Sequence, residues 1–258
     1  MNITEFFIET SNERLRCSLA SPKQMSLGEK SGLLLNLRTT KEIALCDPRQ
    51  NHPTEPFLKA GHYVLSFDLP HHGERVKQYG DNLVGMARAF MAGDDPFEQF
   101  IANGRAALDT CLKNGIGTHG KIVAYGVSRS AYCCLRLAAA DKRIHAVAGL
   151  SPVTDWKIPT EFAELCEDSR LEQINIDHWI DQLADRAVYL CIGSQDDLVG
   201  TNSCARFAMK LFDKQRQILP EGTFFNQFHV VDCPGHSTTN YWRLNATHYL
   251  LQFCEQVT

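Results

Sequence analysis

The chain of 258 residues lacks several patterns that would place it in a specialised class of protein. Its longest mostly apolar runs, at 32–37 and 144–150, have the length of a β-strand, whereas a membrane-spanning helix needs roughly 18–20 apolar residues. Lys and Arg number 26 against 30 Asp and Glu, which gives a net charge of −4. No excess of positive charge therefore favours a phosphate backbone or an anionic bilayer. We expect neither a nucleic acid nor a membrane as a partner.

The sequence also lacks the signals of secretion and of metal binding. Acidic residues occur early, and no basic segment followed by an apolar one precedes them, so we expect no secretory leader. The 10 cysteines are scattered, without a CxxC pair or a Cys/His cluster of zinc spacing. Reduced thiols in a cytoplasmic protein, with no metal site, are the simplest interpretation.

What the sequence does contain is an alternation of short apolar strands and amphipathic helices, with 44% hydrophobic residues to build a core. Such alternation predicts an α/β fold: a mostly parallel central sheet of about eight strands, with helices on both faces, in a single domain over 1–258. The stretch 69–93 gives no clear assignment. The predicted strands are 3–9, 14–19, 32–37, 62–67, 121–125, 144–150, 187–192 and 227–232. The predicted helices are 54–60, 95–114, 130–140, 202–214 and 238–256.

The sharpest local pattern is Ala124-Tyr-Gly-Val-Ser-Arg-Ser-Ala131, in which a strand turns directly into a helix. Such a tight turn pushes the hydroxyl of Ser128 clear of the sheet edge. The turn needs small residues on either side, and it has Gly126 before the serine and Ser130 after it. The alternative interpretation is that Ser128 is an ordinary helix N-cap.

A serine nucleophile needs a base and an acid that orients the base. Asp196 follows a predicted strand through Gly-Ser-Gln, and its neighbour Asp197 fits a solvated loop position better. His236 follows the last strand through Pro-Gly. The three residues occur in the order Ser, Asp, His, each after a different strand. Asp155 is the second candidate for the acid.

The chain resembles the α/β-hydrolases over nearly its full length. The segment Asp68-Leu-Pro-His-His-Gly73-Glu-Arg75, with Thr39-Thr-Lys-Glu42 nearby, is most similar to small esterases related to dienelactone hydrolases. The resemblance implies that Ser128 is the nucleophile, His236 the base and Asp196 the acid. It further implies a small-molecule carboxylic ester as substrate and no cofactor.

One segment departs from the family pattern. The family commonly has His-Gly after its third strand, where a backbone N–H helps to bind the oxyanion. Here the strand reads Leu33-Leu-Leu-Asn-Leu-Arg38. Because the donor is main chain, we expect the N–H of Leu37, or alternatively of Arg38, to serve together with the N–H of Arg129.

The resemblance also directs attention to residues around the pocket. The segment 153–185 corresponds to a small helical cap, so Trp156 and Trp179 are candidates for substrate contact, as is Arg38. Packing of each tryptophan within its own helix is the alternative. The side chain of Arg129 either binds an anionic group of the substrate or forms a surface salt bridge. For Asp68, His71 and His72 we expect a structural turn in which Asp68 binds nearby backbone amides.

Two other kinds of function stay open at this point. The same three residues would also serve an acyltransferase, a thioesterase or a peptidase-like enzyme. A degenerate hydrolase acting as a binding protein is the non-enzymatic alternative, suggested by the missing His-Gly and by Ser130 where glycine is usual. The sequence leaves the oligomeric state open, a homodimer included.

Overall fold

Eight strands form one sheet in the computed structural model, which describes residues 1–10, 13–23, 31–117, 121–221, 223 and 226–255. The strands are β1 (Asn2–Glu9), β2 (Arg14–Ser21), β3 (Leu33–Leu37), β4 (Tyr63–Phe67), β5 (Ile122–Val127), β6 (Ile144–Leu150), β7 (Ala187–Gln195) and β8 (Gln227–Pro234). The helices are α1 (Lys41–Cys46), α2 (Thr54–Lys59), α3 (Asn82–Met91), α4 (Pro96–Lys113), α5 (Arg129–Ala140), α6 (Ser169–Ile174), α7 (Ile180–Leu183), α8 (Thr201–Ile218) and α9 (Asn240–Glu255).

The strand order places the carboxyl ends of six strands at one edge of the sheet. The order is β1-β2-β4-β3-β5-β6-β7-β8. Strand β2 runs antiparallel to β1 and β4, and every pairing from β4 to β8 is parallel. Residues that follow β3, β5, β7 and β8 therefore meet at the same rim, where ligands bind in open α/β sheets.

Alternation along the strands divides the core between the two faces of the sheet. Leu33 and Leu35 belong to one buried cluster, and Leu34 belongs to the other, because successive strand residues point to opposite faces. The first cluster includes Phe97 of α4, and the second includes Trp242 of α9. Helices thus cover both faces, and the predicted fold is confirmed.

Local capping signals explain where α4 begins. The side chain of Asp95 accepts hydrogen bonds from the N–H groups of Phe97 (2.8 Å) and Glu98 (3.2 Å), and Pro96 occupies the first helical position. Proline is favoured there because its missing N–H would have no helical partner. The start predicted from Asp95-Pro96 is confirmed.

Two regions differ from the sequence expectation. Helix α1 was not predicted; it begins after Thr40, whose side chain accepts a hydrogen bond from the N–H of Ile43. The unassigned stretch 69–93 contains a 3₁₀ turn at Gly73–Arg75 followed by α3. Helix α1 packs against strands of the sheet and α3 packs against α4 and the 3₁₀ segment at Thr160–Leu165, and such tertiary contacts are not visible in the local pattern.

The segment 153–185 is a chain of short helices rather than one long one. It contains the 3₁₀ segments Thr160–Leu165 and Ile176–Trp179 together with α6 and α7. The segment buries Leu171 and Leu183 in the cluster shared with α4 and α5. Its role as a cap stays a prediction. No helix in the described part of the chain has the length and apolar character to cross a bilayer.

Candidate active site

Ser128 has the backbone geometry of a strained turn between β5 and α5. Its φ is 59° and its ψ is −124°, a conformation that residues with a side chain rarely adopt. The turn is fixed by the N–H of Ser128, which donates to the carbonyl of Leu150 at 2.8 Å, and by its carbonyl, which accepts from Ala131 at 3.0 Å. The side chain is thereby held at the rim of the sheet.

The small residues on either side of Ser128 have distinct physical reasons. A Cβ on Gly126 would lie 2.5 Å from the backbone nitrogen of Ala131 and from the carbonyl atoms of Ser130, which is too close for any side chain. The hydroxyl of Ser130 accepts from the N–H of Val127 and donates to its carbonyl, each at 2.8 Å. Serine therefore fits where glycine is usual, and it adds two hydrogen bonds to the turn.

The loops after β7 and β8 bring Asp196 and His236 together. Asp196 is 1% exposed, and its Oδ2 accepts a hydrogen bond of 2.8 Å from Nδ1 of His236. Its other oxygen accepts from the N–H of Val199 at 3.3 Å. Gly235, with φ of 61°, donates its N–H to the carbonyl of Gln195 and so ties the histidine loop to the end of β7. Asp197 is exposed, as predicted.

Ser128 and His236 line the same cavity, which has a volume of about 430 Å³. Its wall consists of residues 38–39, Gln50, 127–130, 236–238 and Arg243. The hydroxyl of Ser128 makes no hydrogen bond to the part of the chain that the structure describes, so the serine–histidine hydrogen bond is not formed in this conformation. In unliganded active sites that bond is often long and tightens when substrate binds.

Two residues that line this cavity have backbone N–H groups with no acceptor in the described part of the chain. Arg129 and Arg38 both line it, and neither N–H donates a hydrogen bond to a described residue. A polar backbone group without a partner is ready to bind an anion, as an oxyanion hole requires. Leu37, the first expectation for this role, is fully buried at the end of β3 and is not part of the cavity wall. Arg38 is therefore the better candidate.

The side chain of Arg129 is held by a neutral histidine. Its Nη1 lies 2.9 Å from Nε2 of His72, and Nδ1 of His72 lies 2.8 Å from the carbonyl of Pro70. Burial lowers the pKa of His72 to about 4, and the charge of Arg129 adds to the effect. The neutral ring donates from Nδ1 to Pro70 and accepts at Nε2 from Arg129. No carboxylate of the described residues lies within salt-bridge distance of Arg129. The alternative prediction, in which Arg129 forms a surface salt bridge, does not hold.

Both tryptophans singled out in the sequence lie away from the cavity. Trp156 is fully buried against Phe97, Tyr132 and Phe162, with ring centroids 4.7–5.0 Å away. Trp179 lies under the guanidinium of Arg136, 3.5 Å from its carbon to the ring centroid. Neither tryptophan lines the cavity, since Trp156 is enclosed by aromatic rings and Trp179 is half-buried against Arg136. The expectation that they contact the substrate is corrected accordingly.

Asp155, the second candidate for the acid, is also engaged elsewhere. Its Oδ1 accepts from the N–H of Lys157 at 3.0 Å and from Nδ2 of Asn175 at 3.2 Å. It is not part of the cavity wall.

The Asp68 segment forms the expected turn. Oδ1 of Asp68 accepts from the N–H of Lys41 and Oδ2 accepts from the N–H of Glu74, each at 2.9 Å. The ammonium of Lys41 lies 3.6 Å from the same carboxylate. Asp68 thus joins the segments that follow β3 and β4. Among the described residues, no group of three His, Cys, Asp or Glu side chains is arranged to hold a metal ion.

Sequence reasoning missed Arg243 and Gln50 as cavity residues. Arg243 lies in the first turn of α9, and Gln50 lies in the loop between α1 and α2. No local motif surrounds either residue, so only their proximity to Ser128 in the fold identifies them.

Comparisons with known proteins place this fold among the α/β-hydrolases. No family model matches the sequence, and no curated protein matches it. Among solved structures, a cold-adapted esterase from an Arctic intertidal metagenomic library matches 98% of this chain and 94% of its own, with 22% identity and a TM-score of 0.68. An esterase of Pyrococcus furiosus matches 98% and 91%, with 18% identity and a TM-score of 0.63. The acylaminoacyl peptidase of Pyrococcus horikoshii matches 100% of this chain but 42% of its own, with 10% identity and a TM-score of 0.69. The chain has the α/β-hydrolase fold.

Proposed function

We propose that the protein is a serine hydrolase that cleaves a carboxylic ester of a small molecule, with Ser128 as nucleophile, His236 as base and Asp196 as acid. One observation carries the proposal. Ser128 occupies a strained turn in the cavity that His236 also lines, and His236 is hydrogen-bonded to the buried carboxylate of Asp196. The esterases of the same fold that match nearly end to end support an ester rather than a peptide as substrate.

The arrangement of Asp196 and His236 fits the needs of base catalysis. The hydrogen bond to Asp196 fixes the proton on Nδ1, which leaves Nε2 free to take the proton of Ser128. Ser128 Oγ then attacks the ester carbonyl. The negative charge that develops on the carbonyl oxygen is bound by the N–H groups of Arg129 and Arg38.

The second half of the reaction uses the same groups. The imidazolium of His236 protonates the leaving alcohol, and an acyl-enzyme remains on Ser128. His236 then removes a proton from water, which attacks the acyl group and releases the acid. The net reaction is ester plus water to acid plus alcohol, and it needs no cofactor.

Labelling with a fluorophosphonate probe tests the nucleophile. We expect the native protein to be labelled at Ser128, located by mass spectrometry of peptides, and Ser128→Ala to be unlabelled. Ser194→Ala, which changes an exposed serine outside the cavity wall, is the matched control and should label like the native protein. Absence of labelling would overturn the assignment and favour a binding protein, whereas a label on Ser130 or Ser237 would overturn it by identifying a different nucleophile.

A substrate panel tests the reaction class. We expect hydrolysis of 4-nitrophenyl esters and no comparable cleavage of aminoacyl 4-nitroanilides. Adding a primary alcohol to the assay separates hydrolysis from acyl transfer. A transfer product that exceeds the free acid would contradict the hydrolase proposal while leaving the nucleophile in place.

A further inference from the structure

Among the described residues, the fully buried cations are paired with carboxylates, whereas three half-buried arginines at the cavity are not. The buried Lys and Arg side chains outside it each lie within 4 Å of a carboxylate oxygen. These are Lys41 with Glu42, Asp68 and Glu74, Arg75 with Glu13, Arg136 with Glu98, and Arg186 with Asp185. Such pairing is expected, since burying an unpaired charge is costly.

Within the described residues, three arginines at the cavity donate hydrogen bonds only to neutral groups. Nη2 of Arg38 donates to Oε1 of Gln50, while its Nη1 is buried without an acceptor. Arg129 donates to His72 at 2.9 Å. Arg243 donates to Oγ1 of Thr238 and, at 2.6 Å, to the carbonyl of Arg49.

The cavity itself supplies no negative charge. None of the residues that line it is Asp or Glu. Burial lowers the pKa of Arg38 and the nearby charge of Arg243 lowers it further, while the carboxylate of Asp47, which is not part of the cavity wall, opposes the shift. The two guanidinium groups therefore repel one another, and no carboxylate of the described residues lies within 4 Å of either to form a salt bridge. A bound anion would offset the repulsion between the two guanidinium groups, and it would accept a hydrogen bond from Nη1 of Arg38, which has no acceptor among the described residues.

We propose that the ester cleaved at Ser128 carries an anionic group, a carboxylate or a phosphate, which binds to Arg38 and Arg243, with Arg129 adding to the positive charge beside the nucleophile. The inference rests on the proposed hydrolase function and specifies its substrate class. Guanidinium groups suit both anions because their planar N–H donors match the spacing of two oxygens. The anion is not altered in the reaction and is released with the acid or the alcohol that carries it.

Matched pairs of esters test the inference. On the acyl side, the monoester of glutarate with 4-nitrophenol is compared with 4-nitrophenyl pentanoate. On the alcohol side, 4-acetoxybenzoate is compared with its methyl ester. We expect the anionic member of at least one pair to have a kcat/KM about tenfold or more higher, which is the size of one charge-assisted hydrogen bond.

Arginine variants show whether that preference comes from the cavity. Arg38→Gln and Arg243→Gln should each reduce the ratio of anionic to neutral kcat/KM by about tenfold, and Arg38→Lys and Arg243→Lys should retain more of it. Arg206→Gln removes the charge of an exposed arginine on α8 and should leave the ratio unchanged. The inference is overturned if both pairs show no preference for the anion, or if the Gln variants keep the wild-type ratio.

Binding to the inactive Ser128→Ala protein separates this inference from the proposed function. Calorimetric titration with glutarate and with inorganic phosphate measures anion binding without catalysis, and the stronger of the two identifies the chemistry. We expect binding that weakens with salt and is reduced about tenfold or more when Arg38→Gln is added. Anion binding without labelling of Ser128 in the native protein would overturn the proposed hydrolase function and support the anion site. Labelling of Ser128 without binding of either anion would support the hydrolase function and overturn the anion site.

Discussion

Asp196 and His236 are joined by a hydrogen bond of 2.8 Å across two loops whose residues are 40 positions apart in the chain. The carboxylate is almost completely buried, whereas the side chain of His236 is 23% exposed at the cavity. A buried acceptor fixes which nitrogen of the ring carries the proton, and the exposed part of the ring stays available to substrate. This relationship gives the first prediction.

Asp196→Asn should reduce kcat for ester hydrolysis by about 10³–10⁴, because an amide can donate to Nδ1 and stabilise the wrong tautomer. The measurement is steady-state kinetics on a 4-nitrophenyl ester. Asp197→Asn changes the exposed neighbour and should retain nearly full activity. Equal losses in both variants would mean that the hydrogen bond to His236 has no role in catalysis.

Gly126→Ala should destabilise the fold by about 1–3 kcal/mol or more, since its Cβ would lie 2.5 Å from backbone atoms of the turn. Urea denaturation followed by circular dichroism measures the free energy of unfolding. Gly149→Ala is the matched comparison, because its nearest atoms belong to side chains at 3.3 Å and have more room to adjust. We expect a smaller loss there; a larger one would contradict the steric account.

Asp68→Ala should cost about 3–5 kcal/mol, because it removes the acceptor of two backbone N–H groups and leaves Lys41 with less charge compensation in a buried position. Thermal and urea unfolding both report the loss. Asp81→Ala, at an exposed position before α3, should change stability by less than about 0.5 kcal/mol. An unchanged free energy of unfolding in Asp68→Ala would show that the hydrogen bonds of Asp68 do not stabilise the fold.

The low pKa of His72 makes a prediction about pH. Folding lowers this pKa from 6.5 to about 4, so the folded state favours the neutral ring and the unfolded chain binds the proton more readily between these values. The contribution of His72 to the free energy of unfolding is therefore fully present above pH 6.5. It is lost as the pH falls toward 4, and the loss is at most about 3 kcal/mol. His72→Gln keeps an acceptor for Arg129 and removes the titration. The free energy of unfolding at pH 7.5 minus that at pH 4.5 should be smaller in the variant than in the wild type. An equal difference in the two proteins would show that a group other than His72 causes the pH dependence.

Much of the fold follows from patterns that are local in the chain. Each of the eight predicted strands overlaps a strand of the sheet, since apolar runs of this length bounded by turn residues have few other ways to be buried. The start of α4 at Asp95-Pro96 follows from capping chemistry within four residues. Helix α1 and the 3₁₀ turn at Gly73–Arg75 escaped prediction because packing, rather than propensity, stabilises such short helices.

The sequence by itself determined the succession of the eight strands and the four longest helices and the tight turn at Ser128, because these depend on neighbours a few residues away. It also placed serine, aspartate and histidine in that order, each after a different strand. Only the tertiary structure decided what surrounds the serine. It brought His72 to Arg129 across 57 residues and the carbonyl of Arg49 to Arg243 across 194, and it buried Trp156 among other aromatic rings. Contacts of that range are set by how the sheet and its helices pack, and no local pattern of residues encodes them.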